Sequence, residues 1–432
     1  MKALIETTNK RPERVLLIGL QIKSRSQWEL ADSMAELREL AGTAGGEVID
    51  TAIQKLDTPV ASTFIGRGKA LALAEECRRQ DIDTVIFDDD LTAAQTRTLE
   101  RMFECKILDR TVLILDIFAQ RARTKEGKLQ IELAQLEHLL PRLTKFWGHL
   151  SRQKGGIGMR GGEGETQLET DRRRVQDRIA RITRDLEVVR KQRAVQRAGR
   201  QRHQWPLASI VGYTNAGKST LLNALTGAGA LAEDKLFATL DPLTRRLRLP
   251  TNQNVLLTDT VGFIRKLPHG LVEAFKATLE EVVEADLLIH VVDISHPKAE
   301  DQINAVNTVL QEIGATGKST LLVFNKLDRL ENGIVPDQFL EQFPQAVGIS
   351  AATGEGLPAM LSELGALLRP KRDFVELSVP HKDAAVISRL YAYGQVVEQD
   401  YDGDSARFKA RIPPHLHREF ERFIVEDRKS VV

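Results

Sequence analysis

At 432 residues, the chain has room for about three domains of ordinary size. With 42% hydrophobic and 28% charged residues, it has the composition of a soluble globular protein. Its net charge of +1 excludes a surface that is basic throughout, so any contact with nucleic acid must be local.

Cysteine usage and apolar runs indicate the compartment. Cys77 and Cys105 have no paired spacing, which indicates a reducing compartment and no structural metal. The N-terminal residues lack the apolar core of a signal peptide. The longest apolar stretch near a candidate span, Leu287–Val292, is far too short to cross a bilayer. We therefore expect a cytoplasmic enzyme with no membrane span.

Residues 1–110 show the pattern of a small α/β domain. Short apolar runs predict buried strands at 15–20, 48–49 and 85–87. Apolar residues at helical spacing predict helices at 26–41, near 68–80 and near 92–103. Such alternation is typical of a mostly parallel sheet with helices packed on it.

The sequence Gly66-Arg67-Gly68-Lys69 lies at the predicted start of one of these helices. It could bind an anion or a second nucleotide at the helix N-terminus. A lone Gly-x-Gly-Lys is a weak signal, and a simple turn at the start of a helix is the favoured interpretation.

Two stripes of apolar residues at steps of three and four predict an antiparallel helical hairpin over 111–203. The first stripe consists of Leu129, Leu133, Leu136, Leu140, Leu143, Trp147 and Leu150. The second consists of Leu168, Val175, Ile179, Ile182, Leu186 and Val189, with Arg172 at one core position. Pro141 removes one backbone donor, so we expect a kink or a break there.

The link between the two stripes is rich in glycine, and its flanks are basic. Six glycines in the ten residues from Gly155 to Gly164 exclude a helix across the link. From Asp171 to Arg202, twelve Lys/Arg and four Asp/Glu give a local net charge of +8. This could be the solvated face of a coiled coil, but such faces usually carry positive and negative charges in similar numbers, and here the basic residues clearly outnumber the acidic ones. We favour contact with folded RNA, and the predicted contacts are Arg152, Lys154, Arg160, Arg172, Arg173 and Arg174.

A phosphate-binding pattern follows the hairpin. The stretch Gly212-Tyr213-Thr214-Asn215-Ala216-Gly217-Lys218-Ser219 matches G-x-x-x-x-G-K-S in full and lies between an apolar run, Leu207–Val211, and a predicted helix. In such a loop, backbone N–H groups and the helix N-terminus face a phosphate, and the lysine reaches further phosphates. A chance glycine turn is the alternative, but the strand, loop and helix signals agree.

Further strands with polar motifs at their carboxyl ends predict a doubly wound domain over 204–370, with its ligand at that edge. The strands are predicted at 255–258, 286–293, 320–324 and 347–349. The motifs are Asp259-Thr260-Val261-Gly262, Asn325-Lys326-Leu327-Asp328 and Ser350-Ala351-Ala352. A second Gly-Lys-Ser, at 317–319, lacks the first glycine and precedes a strand, so we interpret it as a loop.

The last residues, 371–432, predict a small α+β domain without a chemical motif. A strand is expected at 374–379, a helix at 383–393, and a hairpin from 396–401 and 408–412. A final helix should follow Pro413-Pro414.

The Asn325–Asp328 motif selects the base. A carboxylate there can accept hydrogen bonds from the N1–H and 2-amino groups of guanine, and adenine offers neither donor. Lys326 would pack along the base plane, and Ser350-Ala351 would offer a backbone N–H to the guanine oxygen. Alone this motif is weak, but its order after the other two makes GTP and GDP the predicted ligands.

Hydrolysis of GTP requires stabilisation of charge around the transferred phosphoryl group. Lys218 and Mg²⁺ would supply it, with Ser219 and Thr239 as metal ligands and Asp259 holding a metal-bound water. The Gly262 N–H would meet the γ-phosphate. Nucleotide-sensing loops are therefore predicted at 262–272 and at 233–241, the latter including Phe237, Ala238, Thr239, Leu240 and Asp241.

Two residues modify this site. Phe263 stands where many GTPases carry a glutamine that orients water, and a phenyl ring cannot do so. We therefore expect slow intrinsic hydrolysis, or help from a partner. Asn215 resembles the asparagine of potassium-activated GTPases, where it helps to bind K⁺, and the alternative is that it caps the loop.

These motifs together resemble the HflX family of translation-factor-related GTPases. In the GTP-binding part, the resemblance rests on Gly212–Ser219, Phe237-Ala238-Thr239-Leu240-Asp241-Pro242, Asp259–Phe263 and Asn325–Asp328. Outside it, the resemblance rests on Asp109-Arg110-Thr111, Ile117–Ala122, Glu126–Gln130, Lys154–Gly158 and Glu165–Glu169. Family members often carry proline in the glycine link, where this chain has Gly162.

The resemblance implies a GTPase that binds the large ribosomal subunit through its N-terminal half and separates stalled or idle ribosomes into subunits. Some members also hydrolyse ATP, but Gly66–Lys69 alone does not establish that activity here. We expect a monomer. Two other functions stay open: a GTPase with a different RNA or protein partner, and a GTP-gated scaffold with little turnover.

Overall fold

The computed structural model describes residues 11–23, 25–143, 163–201, 205–227, 236–237, 239–250, 253–264, 279–331, 334–368, 373–393, 395–402, 405–412 and 417–425. Compact packing divides the chain into two units between Leu364 and Gly365. Within the described ranges, no helix combines the length and apolar character needed to cross a membrane.

The larger unit begins with a four-stranded parallel sheet in the order β2-β1-β3-β4. Its strands are β1 Glu13–Gln21, β2 Gly46–Lys55, β3 Thr84–Phe87 and β4 Lys106–Asp109. The connecting helices are α1 Gln27–Thr43, α2 Arg67–Arg79 and α3 Ala93–Phe103. The predicted parallel α/β arrangement is confirmed. Capping boxes start two of the helices, at Ser26 with Glu29 and at Thr92 with Gln95.

The residues described next form helices α4 Arg110–Arg121, α5 Lys125–Leu143 and α6 Glu163–Gln201. Helices α5 and α6, here called the arm, pack through Leu136, Ile182 and Leu186, with Leu129, Leu133, Val175 and Ile179 around them. Both predicted stripes therefore contribute to one apolar seam. A bidentate ion pair from Arg178 to Glu132 (2.7 and 2.9 Å) lies beside it.

Parts of the hairpin prediction need correction. Helix α5 runs through Pro141 and includes Leu143, so of the kink or break predicted at Pro141, the break is excluded. Gly164 lies in helix α6, which begins at Glu163, so the prediction that Gly155–Gly164 excludes a helix is wrong at Gly164. Trp147, Leu150 and the glycines at 155–162 lie outside the described residues.

The second sheet of the larger unit has six strands in the order β10-β9-β8-β5-β7-β6. They are β5 Leu207–Gly212, β6 Leu243–Arg248, β7 Asn254–Asp259, β8 Leu287–Asp293, β9 Ser319–Asn325 and β10 Val347–Gly348. All pairs are parallel except β6 with β7. The helices are α7 Lys218–Thr226, α8 Ala299–Glu312, α9 Asp337–Gln342 and α10 Leu357–Leu367. The doubly wound prediction holds for the parallel strands, and the antiparallel edge strand β6 was not predicted.

The smaller unit contains a three-stranded antiparallel sheet in the order β11-β13-β12. Its elements are β11 Asp373–Pro380, α11 Ala384–Tyr393, β12 Gln395–Asp402, β13 Ser405–Ile412 and the short α12 His417–Phe420. Buried side chains of alternate strand positions, such as Leu377 and Phe408, pack with Leu390 of α11. The predicted strand, helix and hairpin are confirmed.

Candidate functional site

The site lies at the carboxyl edge of the six-stranded sheet, where β5 leads into the loop Gly212–Ser219. Gly212 has φ +151°, and a Cβ on it would lie 2.2 Å from the Val291 carbonyl oxygen. Gly217 has φ +94°, and a Cβ there would lie 2.2 Å from Asn325 Nδ2. Both positions therefore require glycine. Helix α7 begins directly afterwards, at Lys218, so its first N–H groups face the loop.

Lys218 is buried inside the loop that it closes. Its ammonium donates to the carbonyl oxygen of Tyr213 (2.7 Å). Burial lowers the pKa of Lys218 to about 8, although Asp259 favours the charged form. A cation held in so little water is poised to bind anionic oxygens, which would replace the missing solvation.

Three side chains from different elements converge beside Lys218. Asp259 Oδ2 accepts hydrogen bonds from Ser219 Oγ (2.6 Å) and Thr239 Oγ1 (2.8 Å), and the two hydroxyl oxygens are 2.7 Å apart. Burial raises the pKa of Asp259, while Lys218 and the two hydroxyls oppose this shift. Its second oxygen, Oδ1, is buried and has no hydrogen-bond partner in the described part of the chain. These clustered oxygens, one of them unpartnered, fit a small hard cation such as Mg²⁺.

The motif after β9 joins the phosphate loop to the far side of the site. Asn325 Nδ2 donates to the Ala216 carbonyl (2.8 Å), and Asn325 Oδ1 accepts from the Ala351 N–H (2.9 Å). That N–H, expected at the guanine oxygen, here orients Asn325. Ser350 Oγ donates to Asp328 Oδ1 and fixes this carboxylate. Lys326 has φ +69° and pairs with Asp293 (2.7 Å).

A cavity of about 390 Å³ connects these groups. Most of the predicted nucleotide-binding residues line it: Thr214, Asn215, Gly217, Lys218, Ser219, Phe237, Thr239, Thr260, Gly262, Asn325, Lys326, Asp328, Ala351 and Ala352. Thr220 and Arg329 also line it and were not predicted. A nucleotide-sized space thus runs from Lys218 to Asp328, within the range of ligand pockets.

Other predicted residues have different positions. Gly212, Tyr213, Ala216, Leu240, Asp241, Asp259, Val261, Leu327 and Ser350 do not line the cavity. Leu240, Val261 and Leu327 are buried apolar residues of the core. Asp241 instead accepts hydrogen bonds from the backbone N–H groups of Arg123 and Thr124. Ala238 lies outside the described residues.

Gly262 and Phe263 lie against the phosphate loop. A Cβ on Gly262 would lie 2.9 Å from Thr214 Cγ2 and 3.0 Å from Lys218 Nζ, so the backbone approaches Lys218 closely. Phe263 exchanges backbone hydrogen bonds with Gly212 and Thr214, and its ring is buried in the hydrophobic core. The ring therefore belongs to the core and offers no polar atom to a water.

A relay of polar side chains joins the phosphate loop to the first sheet, and the sequence did not reveal it. Tyr213 Oη donates to Glu36, which accepts from Arg110 Nη1 (2.7 Å). Arg110, 2% exposed, also donates to Asp88 Oδ1 and Ser33 O. Burial alone would lower the pKa of Arg110, but Asp88 and Glu36 raise it above the ordinary value. The only advance signal was the Asp109-Arg110-Thr111 motif.

The predicted RNA contacts divide into two groups. Arg172, Arg173 and Arg174 are exposed on helix α6. Arg152, Lys154 and Arg160 lie outside the described residues. The exposed basic residues of α6 continue with Arg181, Arg184, Arg190 and Lys191. Ile182 and Leu186 of the same helix are buried in the arm.

The doubly wound sheet, with its phosphate loop and base-side motif at one edge, defines the class of P-loop GTPases. Family models agree over three consecutive ranges. Residues 31–119 match "GTP-binding GTPase N-terminal", 121–200 match "GTP-binding GTPase Middle Region" and 208–326 match "50S ribosome-binding GTPase".

Curated relatives specify the family. The chain is 47% identical over 386 residues to the GTPase HflX of Escherichia coli (strain K12), covering 88% of this chain and 90% of that protein. It is 46% identical over 421 residues to GTPase HflX of Caldanaerobacter subterraneus subsp. tengcongensis, covering 98% and 96%. The chain therefore belongs to the HflX family of GTPases, and it is a GTP hydrolase.

Among solved structures, it is similar to a GTP-binding protein from the archaeon Sulfolobus solfataricus in complex with GDP (26% identity, 82% of this chain and 98% of that chain, TM-score 0.44).

Proposed function

We propose that this GTPase binds the large ribosomal subunit and couples GTP binding and hydrolysis to the dissociation or rescue of stalled or idle ribosomes. The observation that carries the proposal is the set of exposed arginines on helix α6, which precedes β5 of the GTPase domain by only a few residues. The description of the family model over 208–326 as a 50S ribosome-binding GTPase supports the same partner. The partner surface would be ribosomal RNA, because phosphates attract arginines irrespective of sequence.

In this proposal the GTP site is formed by the cavity-lining residues of the segments Gly212–Ser219, Phe237–Asp241, Asp259–Gly262, Asn325–Asp328 and Ser350–Ala352. Asp328, oriented by Ser350, accepts from guanine N1–H and the 2-amino group. Lys218 neutralises phosphate oxygens in its buried position. The N–H of Gly262 donates to the terminal phosphate. Loops 233–241 and 262–272 respond to the presence of that phosphate.

The same proposal assigns Mg²⁺ to the oxygens near Asp259. Ser219 and Thr239 would bind it directly, and Asp259 would hold a bound water. The ion would neutralise charge on the transferred phosphoryl group. We further propose that Asn215 contributes to a K⁺ site, since it lines both the main cavity and a smaller one of about 130 Å³. The burial of Phe263 supports slow intrinsic hydrolysis and stimulation by the partner.

The remaining assignments follow from this function. We propose a cytoplasmic monomer divided into an N-terminal α/β domain (1–110), a helical arm (111–203), the GTPase domain (204–370) and a C-terminal α+β domain (371–432). An antiparallel course of the two arm helices and a weaker ATPase activity belong to the same proposal.

The RNA-contact proposal is tested by co-sedimentation of the full chain with purified large subunits. The double variant Arg172→Glu/Arg173→Glu should bind about 10-fold more weakly, because two phosphate contacts become repulsive. Arg245→Glu/Arg248→Glu makes the same charge change on exposed positions of the edge strand β6, outside the N-terminal half, and should retain binding. Equal binding by both variants would refute the assigned surface, and binding only to other RNA or to protein would favour the alternative partner.

A further inference from the structure

The loop that carries Thr239 touches two parts of the larger unit. Thr239 lies at the nucleotide site, where its hydroxyl meets Ser219 and Asp259. On one side of it, Phe237 is 2% exposed, and its ring lies edge-on to Phe118 of helix α4, with centroids 4.6 Å apart. Phe237 also has φ +56°, a conformation that a bulky residue adopts only under constraint. The loop is therefore held from the side of α4.

On the other side of Thr239, Asp241 binds the start of the arm. Its Oδ2 accepts from the backbone N–H groups of Arg123 and Thr124 (both 2.9 Å), and its Oδ1 accepts from the Thr124 hydroxyl. The same hydroxyl accepts from the N–H of Gly127 (3.0 Å), so Thr124 also caps the N-terminus of helix α5. One carboxylate thus occupies three donors at the junction of α4 and α5.

Gly127 shows how closely the helix approaches this carboxylate. A Cβ at position 127 would lie 2.6 Å from Asp241 Oδ1 and 3.2 Å from Thr124 Oγ1. Glycine is otherwise a poor choice within a helix, because it loses backbone entropy without burying a side chain. Its presence in the first turn of α5 is explained by the space that Asp241 needs.

We propose that Asp241 and Thr124 are positioning residues, forming a clamp that holds Thr239 at the nucleotide site and couples this site to the arm. Phe237 and Asp241 each stand two residues from Thr239, so a displacement of α5 displaces Thr239. Because coupling between two sites is reciprocal, a partner bound to the arm biases Thr239, and the nucleotide biases the arm. This inference rests on the proposed role of Thr239 as a metal ligand and of the arm as the surface for the partner.

Hydrogen exchange on the full chain tests the clamp without measuring turnover. The amides of Arg123 and Thr124 should exchange more slowly with GTPγS and Mg²⁺ than with GDP. In Asp241→Ala, both amides should lose this protection in both states, because their acceptor is gone. Asp337→Ala removes an exposed carboxylate from the same domain and should leave the protection unchanged.

Nucleotide affinities supply the second readout. Asp241→Ala and Thr124→Val should lower the preference for GTPγS over GDP by about 10-fold, because only the GTP complex needs Thr239 in place. Thr124→Ser keeps the hydroxyl and should restore the preference. If Thr124→Val and Thr124→Ser bind alike, or if protection at residues 123 and 124 ignores the nucleotide, the clamp is refuted. A Thr239→Ala variant that keeps its preference would instead refute the metal role of Thr239, and the exchange of residues 123 and 124 would still decide the clamp.

Discussion

Two loops in the described part of the chain place a Gly-Lys pair at the start of a helix that follows a parallel strand, and they differ in what surrounds their glycines and their lysine. In the loop Gly212–Ser219, a Cβ on either Gly212 or Gly217 would lie 2.2 Å from a neighbouring atom. Its lysine is buried, and a carboxylate oxygen of Asp259 nearby has no partner among the described residues. This loop has side chains and backbone arranged around a space.

The loop Gly66–Lys69 has a different environment. Arg67, Gly68 and Lys69 are exposed, and a Cβ on Gly68 would meet nothing within 4 Å. The N–H of Gly66 donates to Gln54 Oε1 (2.8 Å), so this backbone donor already has a protein partner. Glycine spacing alone therefore does not identify a phosphate site. The decisive features are the atoms that approach the glycines and the burial of the lysine.

The largest effect is expected from the base. Asp328→Asn would present an amide in place of the carboxylate, which suits the carbonyl at position 2 of xanthine and not the amino group of guanine. The ratio of GTP to xanthosine triphosphate affinity should fall by about 10⁴-fold, as for other sites that lose a buried hydrogen-bond match. Competition binding measures this ratio.

Asp328→Asn also separates the activities of the two loops. ATP hydrolysis arising at Gly66–Lys69 would persist in Asp328→Asn and be lost in Lys69→Met. An unchanged GTP preference in Asp328→Asn would contradict the assignment of the base pocket.

The second effect concerns the glycines. Gly217→Ala should weaken GTP binding by about 100-fold, because the methyl group collides with Asn325 and the backbone is left-handed there. Gly68→Ala, the matched change in the other loop, should leave GTP affinity within about 2-fold, since the space is open. Titration with a fluorescent GTP analogue checks both. Equal losses of GTP affinity in the two variants would contradict the distinction drawn between the two loops.

The third effect is the pH dependence of GTP binding. Burial lowers the pKa of Lys218 to about 8 in the free protein, and bound phosphate should raise it again. GTP binding then takes up a proton above about pH 8, so the Kd should rise with pH there, by up to about 10-fold per pH unit, and stay flat below. The slope can be measured between about pH 7 and pH 9 and should survive in Lys69→Met. A flat profile in the wild type would show that Lys218 is fully charged before GTP binds.

The smallest effect is on stability. Gly68 lies in helix α2 without positive φ, so Gly68→Ala should stabilise the N-terminal region by about 0.5–1 kcal/mol. The urea midpoint of its unfolding transition reports this. A lower urea midpoint would contradict the open space that surrounds a Cβ at position 68.

The sequence predicts the parallel strands and the edge motifs well, because buried strands such as Val15–Leu20 are continuous apolar runs. It fails for β6, in which Arg245, Arg246 and Arg248 are exposed and only Leu247 is buried. It also misses the contacts of Glu36 with Tyr213 and of Thr124 with Asp241, which join residues 177 and 117 positions apart. No local pattern in one sequence encodes such pairs.

We propose that the site around Lys218 is a GTPase switch that the large ribosomal subunit completes, a claim that GTP turnover can test. GTP hydrolysis should be measured with the full chain alone, with purified large subunits and with small subunits, over a range of K⁺ concentrations. We expect slow hydrolysis alone and an increase of about 10-fold or more with large subunits only. Turnover unchanged by large subunits at every K⁺ concentration would contradict the claim.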